Sequence, residues 1–201
     1  MELTYQYTSK LASHFGYPEV QTLTRTTTEL PPVLAGIQVF ERFKAETAQQ
    51  FARQQTELAE QEQLLFRHAQ RLIHLPFDAF STILFRRAPG VVTFKSNWDW
   101  TNLHYVTPQF REWDTFINSI QADCTISLKY KPEMQDFVCQ SHRRWYFILD
   151  SFMECESACL TDFAEALQQT PGAAKMTRKY IDEKLFTSFK YLVYWGFLER
   201  V

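Results

Sequence analysis

Glycine is scarce in this chain of 201 residues: it has 5, against roughly 14 at an average usage near 7%. That shortage argues against a loop-rich protein and against a Gly-loop phosphate cradle. Long apolar runs are missing too, with nothing near the roughly 18 residues that span a bilayer. The opening MELTYQYTSKLASHF lacks a basic segment followed by an apolar one, so no signal peptide is expected. Neither charge sign is in excess: 21 Lys and Arg stand against 23 Asp and Glu, net −2. A dedicated nucleic-acid binder is usually basic, and a polyanionic mimic is far more acidic. The 4 cysteines, at 124, 139, 155 and 159, do not form a secreted disulfide framework. An intracellular protein, cytoplasmic or nuclear, with reduced thiols and no membrane association is expected. Rings are what the chain has in surplus: 18 Phe, 9 Tyr and 5 Trp, or 16%.

Length allows one or two domains. TLTRTTTEL (22–30) is β-prone until Pro31-Pro32 stops it, which predicts an N-terminal arm with one short strand. From Val33 to about His74 there is no proline and a single glycine, Gly36, among good helix formers. A long helix over about 33–74 is predicted. Ile37, Lys44, Phe51, Leu58, Leu65 and Leu72 recur every seven residues, and Ala48, Gln55, Glu62 and Ala69 form a small or polar second seam. Such a helix packs along its own domain, or serves as a coiled-coil or partner-binding arm through Leu58 and Leu65.

Leu75-Pro76 ends that helix. FSTILFRRAPGVVTFKSN reads as a β-hairpin turning at Ala88-Pro89-Gly90. LHYVT (103–107) and CTISLKY (124–130) are further strands, and Phe110, Trp113, Phe116, Ile117 and Ile120 between them have helical spacing. Pro132 suits a first helical position, and Met134, Phe137, Val138, Trp145, Ile148, Leu149 and Phe152 share a helical stripe reaching about Met153. Thr161 is placed to cap a short helix through Gln169. A last helix runs from about Thr177 to Trp195, Gly196 ends it in a left-handed cap, and FLERV follows as a strand. The fold class is thus α+β and helix-dominated, a long helix with a small antiparallel sheet. The domains are 1–131, α+β with the long helix, and 132–201, helical.

Residues 142–201 carry a recognisable order: a helix ending at SFM (151–153), then LTDFAEAL (160–167), then RKYIDEKLFTSFKYLVYWGFLERV (178–201). The close from Leu192 through Gly196, Phe197, Leu198, Glu199 and Arg200 resembles that of the winged-helix superfamily. Glycine ends the third helix, and two apolar residues start the wing strand. The turn QTPGAAKM is longer than the compact turn of most DNA-reading members. A last strand stopping at Val201 would leave an edge for another segment or chain. The resemblance implies either a protein-interaction module within a larger assembly or a DNA-binding regulator of transcription or replication. In the second case the third helix enters the major groove, with Lys175, Arg178, Lys179, Lys184, Thr187 and Lys190 facing outward. From 175 to 201 six basic residues face three acidic ones, whereas 132–201 as a whole is net −2.

SNWDWTNLHY (96–105) gathers Trp98, Asp99, Trp100, His104 and Tyr105 beside Arg86, Arg87 and Lys95. Aromatics among polar groups build a stacking platform for single-stranded nucleic acid or RNA, or else plug a joint between sheet and helix. Cys155 and Cys159, with Cys139 and His142, fall short of a convincing four-ligand zinc set. No Gly-x-Ser-x-Gly, phosphate loop, dinucleotide fingerprint or His-Glu-x-x-His is present. No enzyme activity, metal, cofactor or small-molecule ligand is therefore expected. The leading expectation is a subunit that binds a protein partner or a second copy of itself, using Leu58, Leu65, Trp98, Trp100, Tyr105, Arg86 and Arg87.

Overall fold

A computed structural model describes residues 6–17, 25–101, 113–154 and 156–201. In chain order the elements are α1 (Gln6–His14), α2 (Pro32–Ala52), α3 (Gln55–Leu72), α4 (Phe77–Phe80), β1 (Phe85–Arg87), β2 (Val91–Trp98), α5 (Trp113–Ile120), β3 (Gln121–Lys131) and β4 (Asp136–Ser141), followed by a 3-10 turn (Arg144–Tyr146), α6 (Ile148–Glu154), α7 (Leu160–Gln168), α8 (Arg178–Tyr194) and β5 (Leu198–Arg200). The fold is α+β and helix-dominated, with small antiparallel strand pairings.

Two compact units share the chain discontinuously: 1–55 with 92–141, and 56–91 with 142–201. The expected division at 131/132 falls in the β3–β4 turn, inside the first unit.

The first unit is built on α2. Pro31 and Pro32 open this helix with φ preset, as the first turn tolerates. Val33, Leu34, Ile37, Phe40, Lys44 and Thr47 are its buried side, at the i, i+3, i+4 spacing of one helical face. Lys44 is the charged member of the seven-residue recurrence that begins at Ile37. It is a buried cation held by Glu41 at 3.0 Å and Asp136 at 3.5 Å, and Glu41 also accepts from the Thr8 hydroxyl at 2.8 Å. Burial raises the Asp136 carboxyl above its ordinary range, against the pull of the Lys44 ammonium. A buried charge persists only when paired in this way.

The predicted single helix over 33–74 is two helices. Between Ala52 and Gln55 the Gln54 N–H bonds to the Phe51 carbonyl at 2.9 Å, a three-residue step that ends the α-helical ladder. Neither Arg53 nor Gln54 is a breaker by composition. Phe51 is held by tertiary packing, stacked on Tyr130 at 5.3 Å with Phe137 at 6.2 Å. The expected seven-residue seam is consequently not continuous.

The predicted helix from Pro132 is overturned. Residues 132–135 form a turn, with Met134 N–H on the Lys131 carbonyl at 3.0 Å and Gln135 at φ 51°. The chain returns as β4, antiparallel to β3, from Lys131↔Asp136 to Ile126↔Ser141. β3 contains the predicted strand 124–130, and β2 completes the three-stranded sheet in the order β2-β3-β4. The predicted hairpin about Pro89-Gly90 does not form. Gly90 does make a left-handed turn at φ 73°, but β1 pairs with β5 and β2 with β3. α5 lies within the helix expected after Phe110. Residues 103–107 and 22–24 lie outside the described residues, and 26–30 contain no strand.

The second unit gathers rings around α8. Ile181, Leu185, Phe189, Leu192 and Val193 are its buried stripe. Phe189 meets Phe85, Phe152 and Phe163 at 5.7, 6.1 and 5.5 Å, and Phe80 meets Phe85 at 5.1 Å. Each fully buried ring of this kind contributes roughly 1.5–3 kcal/mol by leaving water. Thr177 caps α8, its hydroxyl accepting the Tyr180 N–H at 3.3 Å. Gly196, at φ 75°, closes the helix: Phe197 N–H reaches the Leu192 carbonyl at 2.8 Å and Gly196 N–H that of Val193 at 3.1 Å. This six-to-one and five-to-two pair is a Schellman close. It delivers β5 to β1 in the register Phe85↔Arg200, Arg86↔Glu199, Arg87↔Leu198. Thr161 does not cap α7. Cys159 occupies the cap, its N–H bonded to the Asp162 carboxylate at 3.1 Å, and the Thr161 hydroxyl goes to the Ser81 carbonyl at 3.1 Å.

Candidate interaction site

The expected interaction residues part company. Trp98 and Trp100 are buried, at 8% and 1% exposure, and stack 5.9 Å apart. They face α2: Phe40 lies 6.2 Å from Trp100, and the glycine at 36 leaves room for the Trp98 indole. Of the two uses weighed for this cluster, the structure gives the joint between sheet and helix. The two tryptophans cannot act as an exposed stacking platform. Tyr105 and His104 lie outside the described residues. Asp99 is consumed locally, accepting from the Thr101 N–H and hydroxyl at 3.1 and 2.8 Å.

Arg86 and Arg87 are exposed on β1. Arg86 is paired across the strands with Glu199 at 2.7 Å. Arg87 lies near His142, whose imidazole hydrogen-bonds Asp150 at 2.5 Å. Burial pushes the His142 pKa below its ordinary value, while Asp150 pulls it back up and Arg87 adds to the lowering.

On α8 and its approach the outward cations are fewer than the sequence implied. Lys175, Lys179 and Lys184 are exposed, and so is Thr187. Arg178 is neutralised one turn along by Asp182 at 2.8 Å. Lys190 lies 4.0 Å over the Phe186 ring, and burial lowers its ammonium pKa. Lys184 leans toward Tyr180 at 5.5 Å, and the Thr187 hydroxyl returns to the Glu183 carbonyl at 2.9 Å. Since each phosphate contact requires a cation, this leaves the face thinly equipped for duplex DNA.

α3 is differently equipped. Glu62, Ala69 and Leu72 are buried, and Leu58 and Leu65 are half-buried, so the two leucines expected to reach a partner belong largely to the inward side. Leu64 and Phe66 are the apolar residues left outside, at 51% and 41% exposure. Beyond them Arg67, Gln70, Arg71, Ile73 and His74 line an open cleft of about 630 Å³, walled by Tyr194 of α8. Phe66 meets Tyr194 edge-on at 6.0 Å, and the ring series continues through Trp195 at 5.2 Å. The Arg67 Nε–H donates to the Gln63 carbonyl at 3.3 Å. In sequence these residues are indistinct, because arginines near a helix C-terminus suit the macrodipole and resemble a solvated face. The available signal was the ordering of charge along α3, with Glu57, Glu60 and Glu62 first and Arg67 and Arg71 last.

Among the described residues no group of three His, Cys, Asp or Glu is placed to hold a metal ion. Nor is any described helix long and apolar enough to cross a membrane. No protein-family model and no curated protein sequence matches the chain.

Proposed function

We propose that this chain is a non-enzymatic protein-interaction module, a subunit of a larger assembly, whose partner is received on α3. The observation that carries the reading is the exposure of Leu64 and Phe66 on one helix, beside half-buried Leu58 and Leu65. A lone surface leucine is ordinary. Leu64 and Phe66 flank half-buried Leu65 on its two sides, and Phe66 leads through Tyr194 to the arginine-lined cleft, so α3 offers the aromatic and arginine anchors enriched at interface cores. The winged-helix resemblance is compatible with this use. The succession α6, α7, α8, β5 supports it, and such domains serve as protein contacts as well as DNA readers.

The test compares capture from native extract by the wild-type chain and by Leu64→Glu, with duplex DNA titrated in parallel. Loss of a specific partner in the variant, at unchanged circular dichroism, is expected. Tight, salt-sensitive duplex binding abolished by neutralising Lys175, Lys179 and Lys184 would replace this reading with DNA regulation through α8.

A further inference from the structure

The cleft at the end of α3 has a chemistry that the interaction reading alone does not require. Its polar lining consists of Arg67, Gln70, Arg71, His74 and Tyr194. Every one of these side chains can donate a hydrogen bond, and none is a carboxylate. In a chain with net charge −2 this is a local reversal. Arg67 and Arg71 are spaced i, i+4, so their guanidiniums rise from adjacent turns of one face. Arg67 uses Nε on the Gln63 carbonyl, which fixes its side chain along the helix and leaves both terminal nitrogens to a ligand. Arg71 has no hydrogen bond or ion pair among the described residues.

The macrodipole explains why cations are tolerated at this helix end. It does not explain why Gln70, His74 and Tyr194 line the same hollow. Two guanidinium forks with three further donor side chains exceed what one carboxylate accepts. They match a phosphate dianion, which offers three oxygens and binds arginine forks in bidentate fashion. The cleft is open on one side. A small free ligand there would lack the near-complete enclosure that small-molecule sites provide. A phosphate projecting from a chain laid across the helix would be seated, with Leu64 and Phe66 left to flanking apolar residues. This inference rests on the interaction reading and names the partner's chemistry.

We propose that the Arg67–Arg71 cleft receives a phosphorylated residue of a protein partner. The test uses the full chain and fluorescence polarisation with four probes. These are a degenerate pool of phosphoserine-, phosphothreonine- and phosphotyrosine-centred peptides, its unphosphorylated counterpart, the same pool with glutamate at the centre, and a labelled 20-residue oligothymidylate. The phosphorylated pool is expected to bind at least tenfold more tightly than either peptide control. Arg67→Gln/Arg71→Gln is expected to abolish that margin, and Arg67→Lys/Arg71→Lys to retain part of it, because a lysine keeps the charge and loses the fork. Both pairs lie on an exposed face, and unchanged thermal midpoints verify their folding. Equal binding of the glutamate pool, or preference for the oligothymidylate, overturns the proposal. The two readings fail separately: if Leu64→Glu loses the captured partner while the phosphorylated pool shows no preference, the interaction surface stands and the phosphate site falls.

Discussion

A Cβ placed on Gly36 would stand 2.6 Å from Cδ1 of the Trp98 indole and 2.7 Å from its Nε1. Real Cβ atoms do not approach that closely, so any side chain at 36 must move the ring. Trp98 cannot yield cheaply, because it is buried and stacked on Trp100, which itself lies against Phe40. Replacing a helical glycine by alanine gains roughly 0.5–1 kcal/mol in backbone terms. Overpacking a core costs about 1–3 kcal/mol. Gly36→Ala is therefore expected to be net destabilising, on the order of 1 kcal/mol, in urea unfolding followed by tryptophan fluorescence. A raised midpoint would mean that the indole swings aside freely.

The β1–β5 pairing separates visible from effective contacts. Arg86 and Glu199 form its evident ion pair at 2.7 Å, yet Arg86 is about half exposed. Exposed pairs contribute about 0–1 kcal/mol. Phe85, one residue away, is wholly buried against Phe80 and Phe189. Truncating a ring there leaves a cavity and costs about 3–5 kcal/mol. Arg86→Ala should leave the melting midpoint nearly unchanged, whereas Phe85→Ala should lower it strongly. Similar losses in the two variants would show that the ion pair, and not the ring, holds the strands.

The sequence was most legible where the signal is local. Gly196 closes a helix because only a residue at ease with φ 75° allows the Schellman bonds. Pro31 and Pro32 start α2 for a similarly local reason. Pairing across the chain was not legible. Phe137 and Val138 satisfy a helical stripe as well as a strand, and only the partner strand β3 decides between them. The turn at Gly90 is present, but its flanking strands find partners in other segments, at 198–200 and 121–131. Trp98 and Trp100 beside polar residues read the same whether they form a surface or a core. The Arg67–Arg71 cleft was invisible for the opposite reason: Tyr194, distant in sequence, turns a charged helix face into a concavity.

His142 makes acid stability measurable at one group. Burial lowers the folded-state pKa of its imidazole below the ordinary value near 6.5. Above pH about 6.5 both folded and unfolded states hold the neutral ring, and the stabilisation is fully present. Below it the unfolded chain binds the proton first, so stability falls with pH until the folded-state pKa is passed. His142→Gln should remove this slope between pH 7 and pH 5. The Asp150 carboxylate opposes the shift, so Asp150→Asn should make the ring titrate lower still, while Arg87→Gln should raise it. Proton NMR titration of the His142 ring reads each direction. An upward move in Asp150→Asn would contradict the pairing.

Thiol reactivity distinguishes the cysteines by the same physics of burial. Cys159 caps α7, is buried, and has its thiol pKa pushed up by that burial. Cys139 is buried in β4. Cys124 is half-buried in β3, its S–H directed to the Trp98 carbonyl at 3.5 Å. The thiolate is the nucleophile, so lost access slows both buried thiols, and the raised pKa slows Cys159 further. Under native conditions at pH 8, alkylation read peptide by peptide should modify Cys124 at least tenfold faster than Cys139 or Cys159. Denaturant should remove the difference. If Cys159 instead keeps pace with Cys124, the N-terminus of α7 opens locally without global unfolding, and hydrogen exchange at the Phe163 amide would show the same opening.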